Sequence, residues 1–122
     1  MILADTSVWI DHLRFGVKDM REYLGEAKIV THPLIVAELA LGSLRDRAST
    51  LRLLDRLPHL QMASAGEVRG LIETRRLFGL GIGVTDASLI ASVLISPPAL
   101  LWTRDKRLRT VAQALNIHAM LA

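Results

Sequence analysis

The strand-like runs in this chain are only three or four residues long. They alternate with stretches of helical spacing from one end of the sequence to the other. Ile2-Leu3-Ala4, Lys28-Ile29-Val30-Thr31, Leu60-Gln61-Met62, Leu100-Leu101-Trp102 and Ile117-His118-Ala119 are the candidate strands. Between them lie helical candidates. One follows Asp5, capped by Thr6 or Ser7, with Trp9 and Leu13 on one face; another runs from Lys18 to Leu24 and ends at Gly25. Pro33 opens a helix to Leu41 that stops near Gly42, since proline suits a first helical turn and glycine an ending. Leu51, Leu54 and Leu57 mark a helix closed by Pro58, and Ser64 with Glu67 forms a capping box ahead of Val68, Leu71 and Ile72. After the turn from Gly79 to Gly83, a helix runs from Thr85 to Ile95. Leu108, Val111, Ala112 and Leu115 then repeat at i, i+3, i+4 and i+7, with Asn116 as the expected cap. Short strands alternating with helices imply an α/β fold, a parallel sheet covered on both faces. Such sheets bind ligands beyond the carboxyl ends of their strands, where strand order reverses.

At 122 residues the chain has room for one domain, spanning residues 1–122. It has no cysteine, which excludes disulfides and thiolate chemistry and suits a reducing cytoplasm. Asp5 interrupts the N-terminal apolar run too early for a secretory signal. Ala87 to Thr103 carries no charge, but Pro97-Pro98 divides it and neither half approaches the ~20 residues of a membrane span. A hydrophobic share of 51% exceeds what so small a core needs, so some of it is expected at an interface with a second copy or a partner protein.

Four acids stand out against this apolar background. Glu38 is the only charge in Leu34-Ile35-Val36-Ala37-Glu38-Leu39-Ala40-Leu41. An unpaired carboxylate buried there would cost several kcal/mol, so a compensating partner is expected. Asp86 begins a nearly all-apolar helix, Asp5 directly follows the first strand, and Asp105 lies in the turn Trp102-Thr103-Arg104-Asp105-Lys106-Arg107. Each has an ordinary alternative: Glu38 facing solvent or paired with an arginine, Asp5 and Asp86 serving a helix start, and Asp105 as a lone turn residue. If the strands before Asp5 and Asp105 are neighbours, the two acids meet at one rim. Carboxylates sharing a pocket raise one another's pKa unless cations compensate them. All-oxygen ligands select hard ions such as Mg²⁺ or Mn²⁺, which can activate water against a phosphodiester. With these four acids set aside, eight acidic residues face fifteen basic ones, a balance of +7. An acidic pocket in a basic surface suits an enzyme acting on a polyanion.

Asp5-Thr6-Ser7-Val8-Trp9-Ile10, Glu38 in its apolar helix, Thr85-Asp86-Ala87-Ser88-Leu89-Ile90-Ala91 and Thr103-Arg104-Asp105 together resemble the PIN-domain family. Over essentially the whole chain, the set looks like the VapC-type toxins of bacterial toxin–antitoxin pairs. The resemblance implies a three-layer α/β/α sandwich with a central parallel sheet and Mg²⁺- or Mn²⁺-dependent cleavage of RNA. It also implies homodimerisation and inhibition by a cognate antitoxin. Asp5, Glu38, Asp86 and Asp105 match the family's metal-binding acids. Thr103 matches the hydroxyl residue before the last of them, and Thr6 or Ser7 the small polar position after the first. The large apolar residue expected after the last acid is here Leu108, preceded by Lys106-Arg107.

Arg45, Arg47, Arg104, Lys106, Arg107 and Arg109 are candidates for gripping phosphates, and Arg104 and Arg107, with Thr6, Ser7 and Thr103, are the candidate substrate contacts. Trp9 and Trp102 read as core rather than as base-stacking platforms, and His12 as a surface residue rather than a general base. A dehalogenase-type phosphatase would need an acid where Ser7 stands, and the glycines at 79, 81 and 83 lack the spacing of a dinucleotide fingerprint. The competing expectation is a catalytically silent RNA- or protein-binding module on the same fold.

Overall fold

A computed structural model describes all of residues 1–122. Three strands, β1 (Ile2–Ala4), β2 (Ile29–Val30) and β3 (Leu100–Trp102), form a parallel sheet in the order β2-β1-β3. Ala4 is paired with Trp102 and Leu3 with both Val30 and Leu101. Helices α1 (Thr6–Phe15) and α2 (Lys18–Gly25) connect β1 to β2. Helices α3 (Pro33–Leu41), α4 (Arg47–Arg56), α5 (Ala65–Thr74) and α6 (Val84–Leu94) lie between β2 and β3, and α7 (Lys106–Ala114) follows β3. The first connection steps outward from β1 and the second steps back across it. Right-handed crossovers therefore put helices on opposite faces, giving the three-layer α/β/α arrangement. The strand order reverses between β1 and β3, the two strands whose ends carry Asp5 and Asp105.

The core centres on Trp9, Trp102, Leu3, Leu101, Ile35, Leu89 and Ile90, all essentially inaccessible. Helix α6 is buried continuously from Ala87 to Val93, which is why its sequence lacks a polar stripe. Both tryptophans lie wholly inside the protein, so neither is available to stack on a base.

Three local expectations are corrected. Asp5, rather than Thr6 or Ser7, caps α1, accepting from the Val8 N–H, and Leu13 does not share Trp9's burial but is 40% exposed. Residues 60–62 are not a strand. The sheet edge is met instead by a single bridge, Thr31 to His59, because Pro58 has no N–H to extend the ladder and Met62 turns out to solvent. Ile117-His118-Ala119 likewise pairs with β3 only through the Leu101–His118 bridge. Left-handed backbone at Asn116 (φ 58°) and Met120 (φ 59°) brackets the pairing and keeps it short.

Candidate active site

The rim at the carboxyl ends of β1 and β3 is assembled by backbone first. The Asp5 N–H donates to the Trp102 carbonyl at 3.0 Å, so the pairing runs on past the strands and fixes Asp5 beside the 103–105 turn. Ser7 then bridges the two segments: its hydroxyl donates to Asp5 Oδ1 at 2.5 Å and accepts from the Arg104 N–H at 3.0 Å. Thr103, fully buried, receives the Asp105 N–H on its hydroxyl at 3.1 Å and also faces Asp5.

The remaining acids arrive on helices. Asp86 sits in the first turn of α6, its Oδ2 accepting from the Gly83 N–H at 3.4 Å. Asp105 caps α7 by accepting from the Leu108 N–H at 3.0 Å. Glu38 takes its solvent-facing alternative. It lies on the exposed face of α3 with Pro33, Ala37 and Leu41, and accepts from the Thr6 hydroxyl at 2.7 Å. The compensating partner exists, but it is a neutral hydroxyl at the solvent edge.

The electrostatics converge on Asp86. Burial pushes its carboxyl up, and the charges of Asp105, Asp5 and Glu38 push it further, against the Gly83 N–H. Asp5, only 5% exposed, is also raised by burial, in part offset by hydrogen bonds from Ser7, Thr103 and Val8. None of the four acids is in an ion pair; the salt bridges are Lys18–Glu22, Lys28–Glu26 and Arg104–Asp11. The rim therefore holds mutually repelling carboxylates with no protein cation neutralising them.

These donors match a hard divalent ion in chemistry: all oxygen, uncompensated, and one of them buried. As they stand, no three His, Asp or Glu side chains converge closely enough to hold an ion. Each carboxylate is instead drawn to its own local donor, and an ion would have to compete with those contacts.

The neighbouring basic residues divide. The Arg104 guanidinium is committed to Asp11 at 3.0 Å and to the Ala122 carbonyl at 2.9 Å, and Arg109 reaches the Thr103 carbonyl at 3.3 Å. Arg107 lies across the glycine-rich turn that leads to Asp86, packed against Gly81. Arg45, Arg47 and Lys106 are exposed. Asp11 escaped the sequence reading because a lone aspartate on a surface helix carries no local signal. The capping role of Asp5 was one of the two readings the sequence offered for it, since aspartate three residues before a helical amide is a preferred cap. His12 is half-buried, its Nδ1 accepting from the Val17 N–H, and is not directed at the acids.

The chain matches the family model for the PIN domain over residues 2–114. It is 48% identical to Ribonuclease VapC32 of Mycobacterium tuberculosis over 109 residues, covering 89% of this chain and 88% of that protein. It is also 30% identical to VapC ribonuclease Mb1587 of Mycobacterium bovis, covering 98% and 97%. Its backbone resembles the crystal structure of PAE2754 from Pyrobaculum aerophilum at a TM-score of 0.56, with 20% identity, covering 93% of this chain and 85% of that one.

Proposed function

Because the chain belongs to the PIN-domain family, among its VapC-type members, we propose that it is a divalent-metal-dependent endoribonuclease, the toxin of a toxin–antitoxin pair. Asp5, Glu38 and Asp86 would hold Mg²⁺ or Mn²⁺, with Asp105 completing the site. When bound, the ion would activate water and stabilise the leaving oxygen of the phosphodiester; with the P–O3′ bond the one broken, the products would carry a 5′-phosphate and a 3′-hydroxyl.

The protein's own residues supply position and charge. Ser7 fixes the Asp5 rotamer and locks it to the turn after β3, and Thr6 holds Glu38 toward the rim. Arg107, exposed on α7 and packed across Gly81, offers a cation to a phosphate flanking the scissile one. No imidazole faces the acids, so general-base work is not assigned to histidine.

The observation that carries this reading is Asp86, surrounded by three like charges with no paired cation. A protein partner is supported by exposed apolar side chains, Phe15 at 80% and Leu41 at 88%, and by a cleft between α1 and the 43–46 loop lined by Leu13, Phe15 and Leu44. We assign these surfaces to an antitoxin and a second copy of the chain.

The test is cleavage of a mixed RNA pool by purified protein with Mg²⁺, Mn²⁺ or EDTA, beside Asp5→Asn and Glu38→Gln. Metal-dependent cleavage lost in both variants is the expected result. Cleavage at the wild-type rate by Asp5→Asn would overturn the site. A wild type that binds RNA but leaves it intact would favour the catalytically silent module.

A further inference from the structure

The strongest polar contact away from the acids is buried in the core. His32 and Ser92 are both 0% exposed, and His32 Nε2 lies 2.9 Å from Ser92 Oγ. The tautomer follows from the other ring nitrogen. Nδ1 accepts the Leu34 N–H at 3.0 Å, capping α3, so it carries no proton, and Nε2–H donates to Ser92. Burial, followed by the charge of His59, keeps the ring neutral. Ser92 Oγ also receives the Ala63 N–H at 3.4 Å.

This contact links the two helices that present Glu38 and Asp86. Glu38 lies six residues after His32 on α3, and Asp86 six residues before Ser92 on α6, each about 9 Å along its helix at 1.5 Å per residue. Helix α6 is buried along most of its length, whereas α3 packs mainly on α1 and α4, with Ile35 and Leu39 in the core, and leaves its outer face to solvent. Two polar ties refine that placement, His32 to Ser92 at its start and Thr6 to Glu38 in its second turn.

We propose that His32 is a positioning residue: through Ser92 it sets where α3 presents Glu38 relative to Asp86, and thereby the affinity of the site for a divalent cation. The inference rests on the metal-site reading above. Metal–ligand distances are held to about 0.2 Å of their preferred values, so loosening one tie of α3 lowers affinity before it unfolds the protein.

The experiment measures Mn²⁺ binding by calorimetry on the full chain, with thermal melting in EDTA as the stability readout. His32→Asn keeps a side chain able to cap α3 but too short to reach Ser92, and Ser92→Ala removes the acceptor. Ile117→Ala is the control, because it removes buried packing beside β3, at the opposite edge of the sheet from β2 and α3, and costs stability away from either tie. Mn²⁺ affinity should fall about tenfold in His32→Asn and Ser92→Ala, the low end for loss of a group supporting a metal site. The double variant should be no worse than either single one, since both remove the same bond. Ile117→Ala should bind Mn²⁺ as the wild type does. Unchanged affinity in His32→Asn and Ser92→Ala, or an equal loss in Ile117→Ala, would reduce His32 to a stabilising contact and overturn the proposal. A wild type that binds no Mn²⁺ would instead overturn the metal site beneath it.

Discussion

Replacing Asp5 by Asn should make the metal-free protein more stable while removing its response to metal. Asp5 is 5% exposed, and burial raises its carboxyl above the usual range despite the hydrogen bonds from Ser7, Thr103 and Val8. The effective penalty for burying a charge is several kcal/mol. The two closest hydrogen bonds, from Ser7 at 2.5 Å and Val8 at 3.2 Å, are each about 1 kcal/mol stronger to a carboxylate than to an amide oxygen. Asparagine keeps both acceptor contacts and sheds the charge, leaving a net gain of about 1–2 kcal/mol. For a chain of this length that raises Tm by roughly 4–8 °C at pH 7 in EDTA.

The pH dependence has a defined sign. A carboxyl raised on folding binds more protons in the native state than in the unfolded chain between its unfolded value near 3.8 and its folded value. Stability from this group therefore falls as pH rises through that window. The advantage of Asp5→Asn should vanish below the window and be complete above it. Metal reverses the order. At a hundredfold excess over Kd, binding stabilises the wild type by about 2.7 kcal/mol, roughly 10 °C, and the variant by nothing. Differential scanning fluorimetry across pH, with EDTA and with Mn²⁺, reads all of this. An Asp5→Asn protein less stable than wild type in EDTA at pH 7 would refute the reasoning.

Two further perturbations address the basic side of the rim. If Arg107 contacts a phosphate, Arg107→Ala should reduce the slope of log binding constant against log salt by about one, measured with a non-cleaved RNA in EDTA, and an unchanged slope removes it from the interface. Gly81→Ala should destabilise the protein by about 1 kcal/mol or more in urea unfolding. Gly81 has φ +78° and its added Cβ would stand 2.9 Å from Arg107 Cδ, so an unchanged midpoint would mean that neither the turn nor the arginine is held there.

The alternation of short apolar runs and helices was enough to identify the sheet and its helical layers. Pro33, Gly42 and the Ser64–Glu67 box marked helix ends where the structure has them, because their signals are local. Strands other than β1, β2 and β3 were over-read for a physical reason. At residues 60–62 and 117–119 the apolar content reflects packing against the sheet edge, while Pro58 and the left-handed residues Asn116 and Met120 limit hydrogen bonding to single bridges. The face of α3 that Glu38 occupies was left open for a related cause. Helix α3 is apolar on both its buried and its outer face, so composition could not show which one the charge occupies. The adjacency of Asp5 and the 103–105 turn is a pairing across almost the whole chain, and no local pattern encodes it.

Three of the acids were readable as helix-start or turn residues as well as ligands, and the structure explains why both readings fit. Asp5, Asp86 and Asp105 each lie at the start of a helix and accept a backbone N–H there: from Val8, from Gly83 just before α6, and from Leu108 respectively. Helix N-termini carry partial positive charge, so three of the four repelling carboxylates have their charge partly offset by the chain's own amides. That arrangement keeps a metal-free site tolerable, and it holds the carboxylates apart, since each amide pulls its oxygen toward its own helix. Bringing the acids together on an ion must therefore weaken those caps. In a Mg²⁺ titration followed by amide NMR, the Val8, Gly83 and Leu108 N–H resonances should move together and saturate with one affinity, ahead of other helix-start amides such as Glu67. If Mg²⁺ binds and these three amides stay fixed, the capping oxygens are not the ligating ones, and the acids serve the two roles through separate oxygens.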